Sequence, residues 1–402
     1  MEAAIWEWLS FGLRWLHVVT AIAWIGSSFY FIALDLSLQK RSHLPEGVSG
    51  EAWQVHGGGF YNMRKYTVAP PELPPELTWF KWESYATWIT GFFLLCVVYY
   101  AAPELYLIDF GRLELEPWQA VAIGLASLVL TWAVYDALCR SPLVENTWAL
   151  LIAVFAFLAL LAWGLGQVYT GRGAFIHLGA AIATIMSANV AMNIIPNQKR
   201  AVAMLLKGET PPAAYGKQAK QRSLHNNYLT LPVIFLMLSN HYPLAFATEW
   251  SWVIAVLVMA MGGVIRHWFN RHHAREAPPH WCWPAAGALF AAIVALSLAG
   301  PGEPPEEEAS AGPSPLLASA HWPEVEEIML SRCSMCHAAE PVWDGIAHAP
   351  KDVALETPED IAAHAAEIYA QAARSRAMPP GNVTYISPGE RAILAKWYEG
   401  DG

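Results

Sequence analysis

The feature that most constrains this chain is a succession of eight apolar stretches, each near the roughly 20 residues that cross a bilayer. They fall at about 9–34, 84–102, 117–138, 147–168, 174–195, 226–246, 250–270 and 282–299. Inside hydrocarbon every backbone N–H and C=O must find a partner within the protein, so such stretches fold as helices. Composition agrees, with a positive mean hydropathy, 20 tryptophans and only 14% charged residues. The expected fold is therefore all-α, a polytopic membrane bundle of about eight transmembrane helices over residues 1–300. The sixth stretch is the weakest, because Pro232 and a polar start interrupt it. No cleavable signal peptide is expected; the first helix serves as a signal anchor.

The loops set an orientation. The segment between the fifth and sixth stretches carries Lys199, Arg200, Lys207, Lys217, Lys220 and Arg222 against Glu209. The next such segment holds Arg271 and Arg275, and the one after the first stretch holds Lys40, Arg41, Arg64, Lys65 and Lys81. The positive-inside rule puts all three in the cytoplasm and both termini outside. In a bacterial inner membrane the C-terminal part is then periplasmic. Charge is divided unevenly: 17 acidic against 6 basic residues from 301 onward, and 17 against 18 before it. Such a balance offers no surface for nucleic acid. Residues 301–320, rich in Pro, Glu, Ala and Ser, read as an extended linker. The acidic tail suits a basic electron-transfer partner, such as a soluble cytochrome, or plain solubility.

Past the linker stands Cys333-Ser334-Met335-Cys336-His337. Cysteines at i and i+3 match the two vinyl groups of one haem, and the histidine that follows binds the iron. Haem is attached to such motifs outside the bacterial cytoplasm, which agrees with the orientation. A redox disulfide or half a zinc site is the rival reading of C-x-x-C. No second C-x-x-C exists, and Cys96, Cys139 and Cys282 lie in or at apolar segments. Downstream, Met378 in the Pro/Gly-rich loop Ala377–Asn382 is the expected sixth ligand, with His348 and His364 as competitors. His/Met ligation raises the potential and suits an electron acceptor. Trp322 to His337 reads as a helix carrying the motif. Ser387 and Pro388 open a closing helix. Residues 321–402 thus outline a small class I cytochrome c with covalent haem c.

Two further constellations lie in the bundle. Trp15-Leu16-His17 and Phe175-Ile176-His177 are each followed by Ala-Ile-Ala at one offset, which suggests a 4+4 repeat. His17 and His177 would then sit at similar depth and cage one haem b; the alternative is two histidines bonded across helices. The second lies on the inner side: His56 with the Gly57–Gly59 run, Tyr61, Lys65, Trp82, Glu83, Asn189, Asn193, His225, Asn226 and Asn227. Aromatic planes, amides, a lysine and a histidine suit a flat, anionic, hydrogen-bonding heterocycle, or else form an interfacial belt.

At these residues the chain resembles the membrane-bound, cytochrome-c-linked urate hydroxylases, which carry a urate oxidase N-terminal membrane domain. The resemblance rests on Trp15–Val19 through Trp24–Phe31, on Val55–Tyr61, on Phe80–Glu83, on His225–Pro232 and on the haem motif. It implies oxidation of urate to 5-hydroxyisourate, with electrons passing through haem c to a soluble cytochrome c or a terminal oxidase. In that reading His56 or His225 is the base, Lys65 steadies the anion, and Glu83 joins the catalytic set. Tyr61, Trp82, Asn189, Asn193, Asn226 and Asn227 bind substrate. Two other classes stay open: a quinol-oxidising haem protein feeding a periplasmic cytochrome, and a purine carrier with a redox-sensing tail.

Overall fold

Helices of membrane length make up most of the chain, and their packing is set by where glycines and prolines let them approach. The computed structural model describes residues 2–66, 70, 73–110, 112–298, 315–343, 346 and 349–400. Helix α1 (Glu2–Ser37) leads into strands β1 (Val48–His56) and β2 (Gly59–Tyr66), then α2 (Trp82–Leu95), prolonged by a π-turn over Cys96–Tyr100. A short α3 (Pro103–Tyr106) precedes α4 (Pro117–Arg140) and α5 (Thr147–Val168). Helix α6 (Gly171–Ala188) continues through a π-turn at Asn189–Ile194 into α7 (Ile195–Leu205). Then come α8 (Ala213–Leu238), α9 (Ser251–His273) and α10 (Cys282–Leu298).

Five of these helical stretches are long and apolar enough to cross a membrane: Ile5–Ser37, Pro117–Arg140, Thr147–Val168, Gly171–Leu205 and Ser251–His273. The other three expected stretches are helical as well. They differ in that α2 changes to π bonding after Leu95, α8 starts with a polar half, and α10 is only 17 residues long. Helix α6 lies between α4 and α8, and α9 joins α8 to α5 and α10. Pro232 inside α8 faces Gly262 of α9, where a Cβ would come within 2.6 Å of the proline Cδ. The glycine is what lets α9 close on the kinked helix.

The all-α expectation needs one correction, because the glycine run after α1 is the turn of an antiparallel hairpin. Trp53 pairs with Asn62 and Val55 with Phe60. Gly57 and Gly58 both have positive φ, +57° and +80°, the conformation of a two-residue turn whose twist matches the strands. Glu51 holds the base of the hairpin. It is buried, accepts from Asn62 Nδ2 at 3.0 Å and Trp53 Nε1 at 3.4 Å, and has Arg41 and His43 within 3.4 Å.

The C-terminal part has its own small core around Val325, Met329, Ile361, Leu394 and Trp397. Helix α11 (Trp322–Ile328) runs on as a π-turn to Cys333. Helices α12 (Pro358–Ala363), α13 (Ala365–Ile368) and α14 (Pro388–Glu399) follow, the last opened by a reciprocal Ser387–Glu390 capping box. Of the expected linker, 301–314 lie outside the described residues, as does His348. This part rests on one end of the bundle. Phe110 N donates to Gly381 O at 2.9 Å, Arg376 N to Ala247 O at 3.3 Å and Arg374 to Leu298 O at 3.0 Å. Phe110 and Tyr385 have ring centroids 5.6 Å apart. The contacted segments follow α3, precede α9 and end α10, so they share one face, called the outer face below.

The amide of Asn62 donating to Glu51, with Trp53 and the cations beside it, holds the Glu51 carboxyl below the usual carboxylate range against its burial. A carboxyl depressed on folding contributes stability that is present above its unfolded pKa and lost as pH falls through the folded one. Protection factors of the β1–β2 amides, corrected for the pH dependence of intrinsic exchange, should therefore fall as pH drops below the ordinary carboxylate value. Glu51→Gln should remove that pH dependence.

Candidate functional site

The bundle holds two buried polar layers. The inner one is built by α4, the π-turn after α6, and α8. Arg222 is almost wholly buried and pairs with Asp136 at 2.7 Å. It also donates to Asn189 Oδ1 at 3.2 Å and lies over the Tyr135 ring at 5.0 Å. Asn189 Nδ2 donates to Asn226 Oδ1 at 2.8 Å and to Tyr135 OH at 3.1 Å, and Tyr135 OH meets His225 Nδ1 at 2.7 Å. Asn193 reaches Asp136 at 3.5 Å. One helical step on, Asn227 accepts from Asn270 at 2.9 Å and Arg266 at 3.4 Å, and Arg266 sits over the Phe29 ring at 4.2 Å. Ser84 and Ser187 touch at 3.1 Å, which sets the first turn of α2, with Glu83, at this level.

The layer is not fully satisfied. Glu83 Oε2, Thr131 Oγ1 and Asn227 Nδ2 are buried with no hydrogen-bond partner among the described residues. Buried polar atoms are rarely left so, and such orphans mark places for water or a polar ligand.

The expected inner set is therefore split. His225, Asn189, Asn193 and Asn226 come together, and Asn227 and Glu83 stand beside them. His56 lies exposed at the hairpin turn, Tyr61 and Trp82 are exposed, and the Lys65 ammonium is taken by Asp35. The sequence reading missed Tyr135, Asp136, Arg266 and Asn270. Asp136 was legible, since an acid inside an apolar stretch defaults to function or pairing.

The second layer lies under the outer face. His177 is fully buried; its Nδ1–H donates to Gly173 O at 2.8 Å and its Nε2 accepts from Tyr100 OH at 3.0 Å. Tyr169 packs on the ring at a centroid distance of 4.7 Å. Arg172 stacks over Tyr106 at 4.9 Å and Tyr99 at 6.0 Å, and its Nε is buried without a partner among the described residues.

His17 is elsewhere. Its Nδ1–H donates to Thr87 O at 3.0 Å, and its ring lies flat on Gly91, where a Cβ would be 2.6 Å away. The residues do not fit one haem b between His17 and His177. His17 meets the middle of α2, whereas His177 meets α4 and the π-turn that ends α2, where Tyr100 is nine residues beyond Gly91, a rise of ~13 Å. His177 Nε2 is already engaged, and Gly124 leaves its ring no more room, since a Cβ there would be 2.6 Å from Nε2. A shared three-residue string did not determine packing partners.

The C-terminal centre does fit a covalent haem c. Cys333 and Cys336 are unbridged thiols. His337 Nδ1–H donates to Val353 O at 2.8 Å, which orients the ring and leaves Nε2 as its ligating nitrogen. Cys333 and Met378 flank the same core. Burial pushes the Cys333 thiol up to about 12, unlike the low-pKa thiol of a redox pair. Arg391 of α14 holds the methionine loop, donating to Met378 O at 2.8 Å, to Asn382 Oδ1 at 3.3 Å and to Ala372 O. Burial brings its guanidinium down to about 10, with Arg376 adding to the fall and Asp109 of the bundle opposing it. His364 instead caps α13, 4.0 Å from Glu367.

Fold and sites define a helical bundle with membrane-length helices and buried polar layers, joined to a small domain bearing Cys-x-x-Cys-His. The chain belongs to the family described as Urate oxidase N-terminal, whose model matches residues 3–297. That match covers the bundle and stops before the C-terminal domain. No curated protein and no solved structure matches the chain.

Removing one partner of a buried ion pair strands the other charge, at about 3 kcal/mol or more. Asp136→Ala should lower the stability of the purified protein in detergent by that order, and Asp136→Asn by less. Denaturant unfolding followed by tryptophan fluorescence reads both.

Proposed function

We propose that this protein oxidises urate to 5-hydroxyisourate in its membrane bundle and passes the electrons to a c-type haem on its C-terminal domain. The observation that carries the reading is the family match over residues 3–297. The balance is urate plus water giving 5-hydroxyisourate, two electrons and two protons. A histidine base withdraws a proton from the purine, and water adds at C5 as the electrons leave.

Cys333 and Cys336 would hold the haem by thioethers, and His337 and Met378 would ligate its iron. When bound, the group would supply one-electron acceptance, so two transfers would be needed for each urate. A soluble cytochrome c or a terminal oxidase takes the electrons onward. The seat of the C-terminal domain on the end formed by Phe110, Ala247 and Leu298 supports a common side for these segments. The basic loops at the other end support the periplasm as that side. Haem attachment outside the cytoplasm agrees.

Both buried layers offer groups to a purine. The inner layer presents His225, Asn189, Asn193 and Asn226, with Glu83 and Asn227 bearing orphaned atoms. The outer presents His177, Tyr100 and Arg172. Orphaned polar atoms suit a ligand rich in N–H and C=O edges.

The test is optical. Oxidised full-length protein in detergent receives urate without oxygen, and the haem c α-band is followed. Reduction with two haems reduced per 5-hydroxyisourate is the expected result. A band that stays oxidised with urate and reduces with a quinol would move the protein to the quinol-oxidising class.

A further inference from the structure

The two layers differ in one respect that bears on electron transfer. Arg172 and Asn189 are 17 residues apart on one continuous helix, ~25 Å along its axis. Tunnelling through protein falls off exponentially with distance. The pair of histidines that would have bridged this gap with a second haem does not face one another. A substrate oxidised at the inner layer is therefore far from its acceptor, and one oxidised at the outer layer is near.

The outer layer touches the seat of the C-terminal domain through a few residues. Tyr106 O accepts from Thr170 Oγ1 at 2.7 Å, and Leu107 O from Thr170 N at 2.9 Å. Two residues beyond Tyr106, the Ile108 carbonyl lies where a Cβ on Gly381 would fall. Gly381 is three residues from Met378, the proposed axial ligand. The segment Tyr106–Ile108 thus has Arg172 on one side and the methionine loop on the other.

The chemistry of this spot suits a planar anion. Arg172 is a fixed cation with a buried Nε–H and no partner for it among the described residues. Its fork matches two adjacent acceptors on one edge of a heterocycle. Tyr106 and Tyr99 flank the guanidinium, and Tyr99 is held by donating to Asn240 Oδ1 at 2.5 Å. His177 and Tyr100 place a hydrogen-bonded imidazole–phenol pair in the same layer. An open cleft of about 630 Å³ lined by Tyr30, Gln54 and His273 lies at the opposite end of the bundle.

We infer that the oxidisable substrate, a planar oxopurine anion, binds at the outer layer against Arg172, Tyr106 and Tyr99, directly beneath the methionine loop. This deepens the urate reading and rests on it. It makes the inner layer a structural tie and not the reaction site.

The experiment measures binding without turnover. Full-length protein in nanodiscs is first reduced with dithionite, so that it has no electron acceptor, and urate binding is measured by anaerobic equilibrium dialysis. Arg172→Gln should weaken binding at least about tenfold, Arg172→Lys less, and Tyr106→Leu should also weaken it. The α-band and unfolding midpoint of each variant report whether it has folded. Native binding in both Arg172→Gln and Tyr106→Leu would overturn the inference, and so would loss confined to His225→Asn. If the unaltered protein neither binds urate nor has its haem reduced by it, the urate reading itself falls and takes this site with it. Haem reduction by urate with native binding in the Arg172 variant would remove only the site.

Discussion

Arg222 and Arg266 stand inside an apolar bundle, and neither can keep its charge there without dedicated partners. Asp136 answers the first with a direct pair, and Asn227, Asn270 and the Phe29 ring surround the second. These ties cross from α8 to α4 on one side and to α9 and α1 on the other. They fix the helices in rotation and in depth, which uniform apolar packing does not. Asn189 joins them from the first residue of a π-turn. There the extra residue per turn re-aims the side chain into the layer, a common use of such bulges.

The two membrane histidines are held by different means. Glycines at 91 and 124 let imidazole rings press against neighbouring helices, and each ring spends one nitrogen on a backbone carbonyl. That tie selects the tautomer, because a carbonyl can only accept. At His177 the second nitrogen is then an acceptor and takes the phenol of Tyr100. The result is a closed chain of hydrogen bonds from the Gly173 carbonyl through the imidazole to the Tyr100 phenol.

Much of this was legible in the sequence, for physical reasons. Apolar runs of bilayer length have few options but helix, so all eight expected stretches are helical. The Ser387-Pro388-x-Glu390 pattern specifies its own cap, and the structure contains it. The hairpin was not read, although Trp53, Val55 and Phe60 alternate around Gly57-Gly58. A glycine run can serve either a turn or a ligand, and spacing does not distinguish them. The pairing of His17 with His177 failed because local strings carry no information about which helix lies opposite. Arg222 was counted only as an inside charge; its burial follows from Asp136 across the bundle, a contact 86 residues away.

Arg391 has a consequence for how the protein is made. The loop carrying Met378 is held from beneath by a side chain on α14, which follows it in sequence. The ribosome releases that helix after the Cys333–His337 segment. During biogenesis the cysteines and histidine of the motif therefore exist before the methionine loop has been shaped. Until α14 docks, the methionine loop lacks the hydrogen bonds that shape it, and under the haem c reading proposed above that interval would leave both thiols open to attachment.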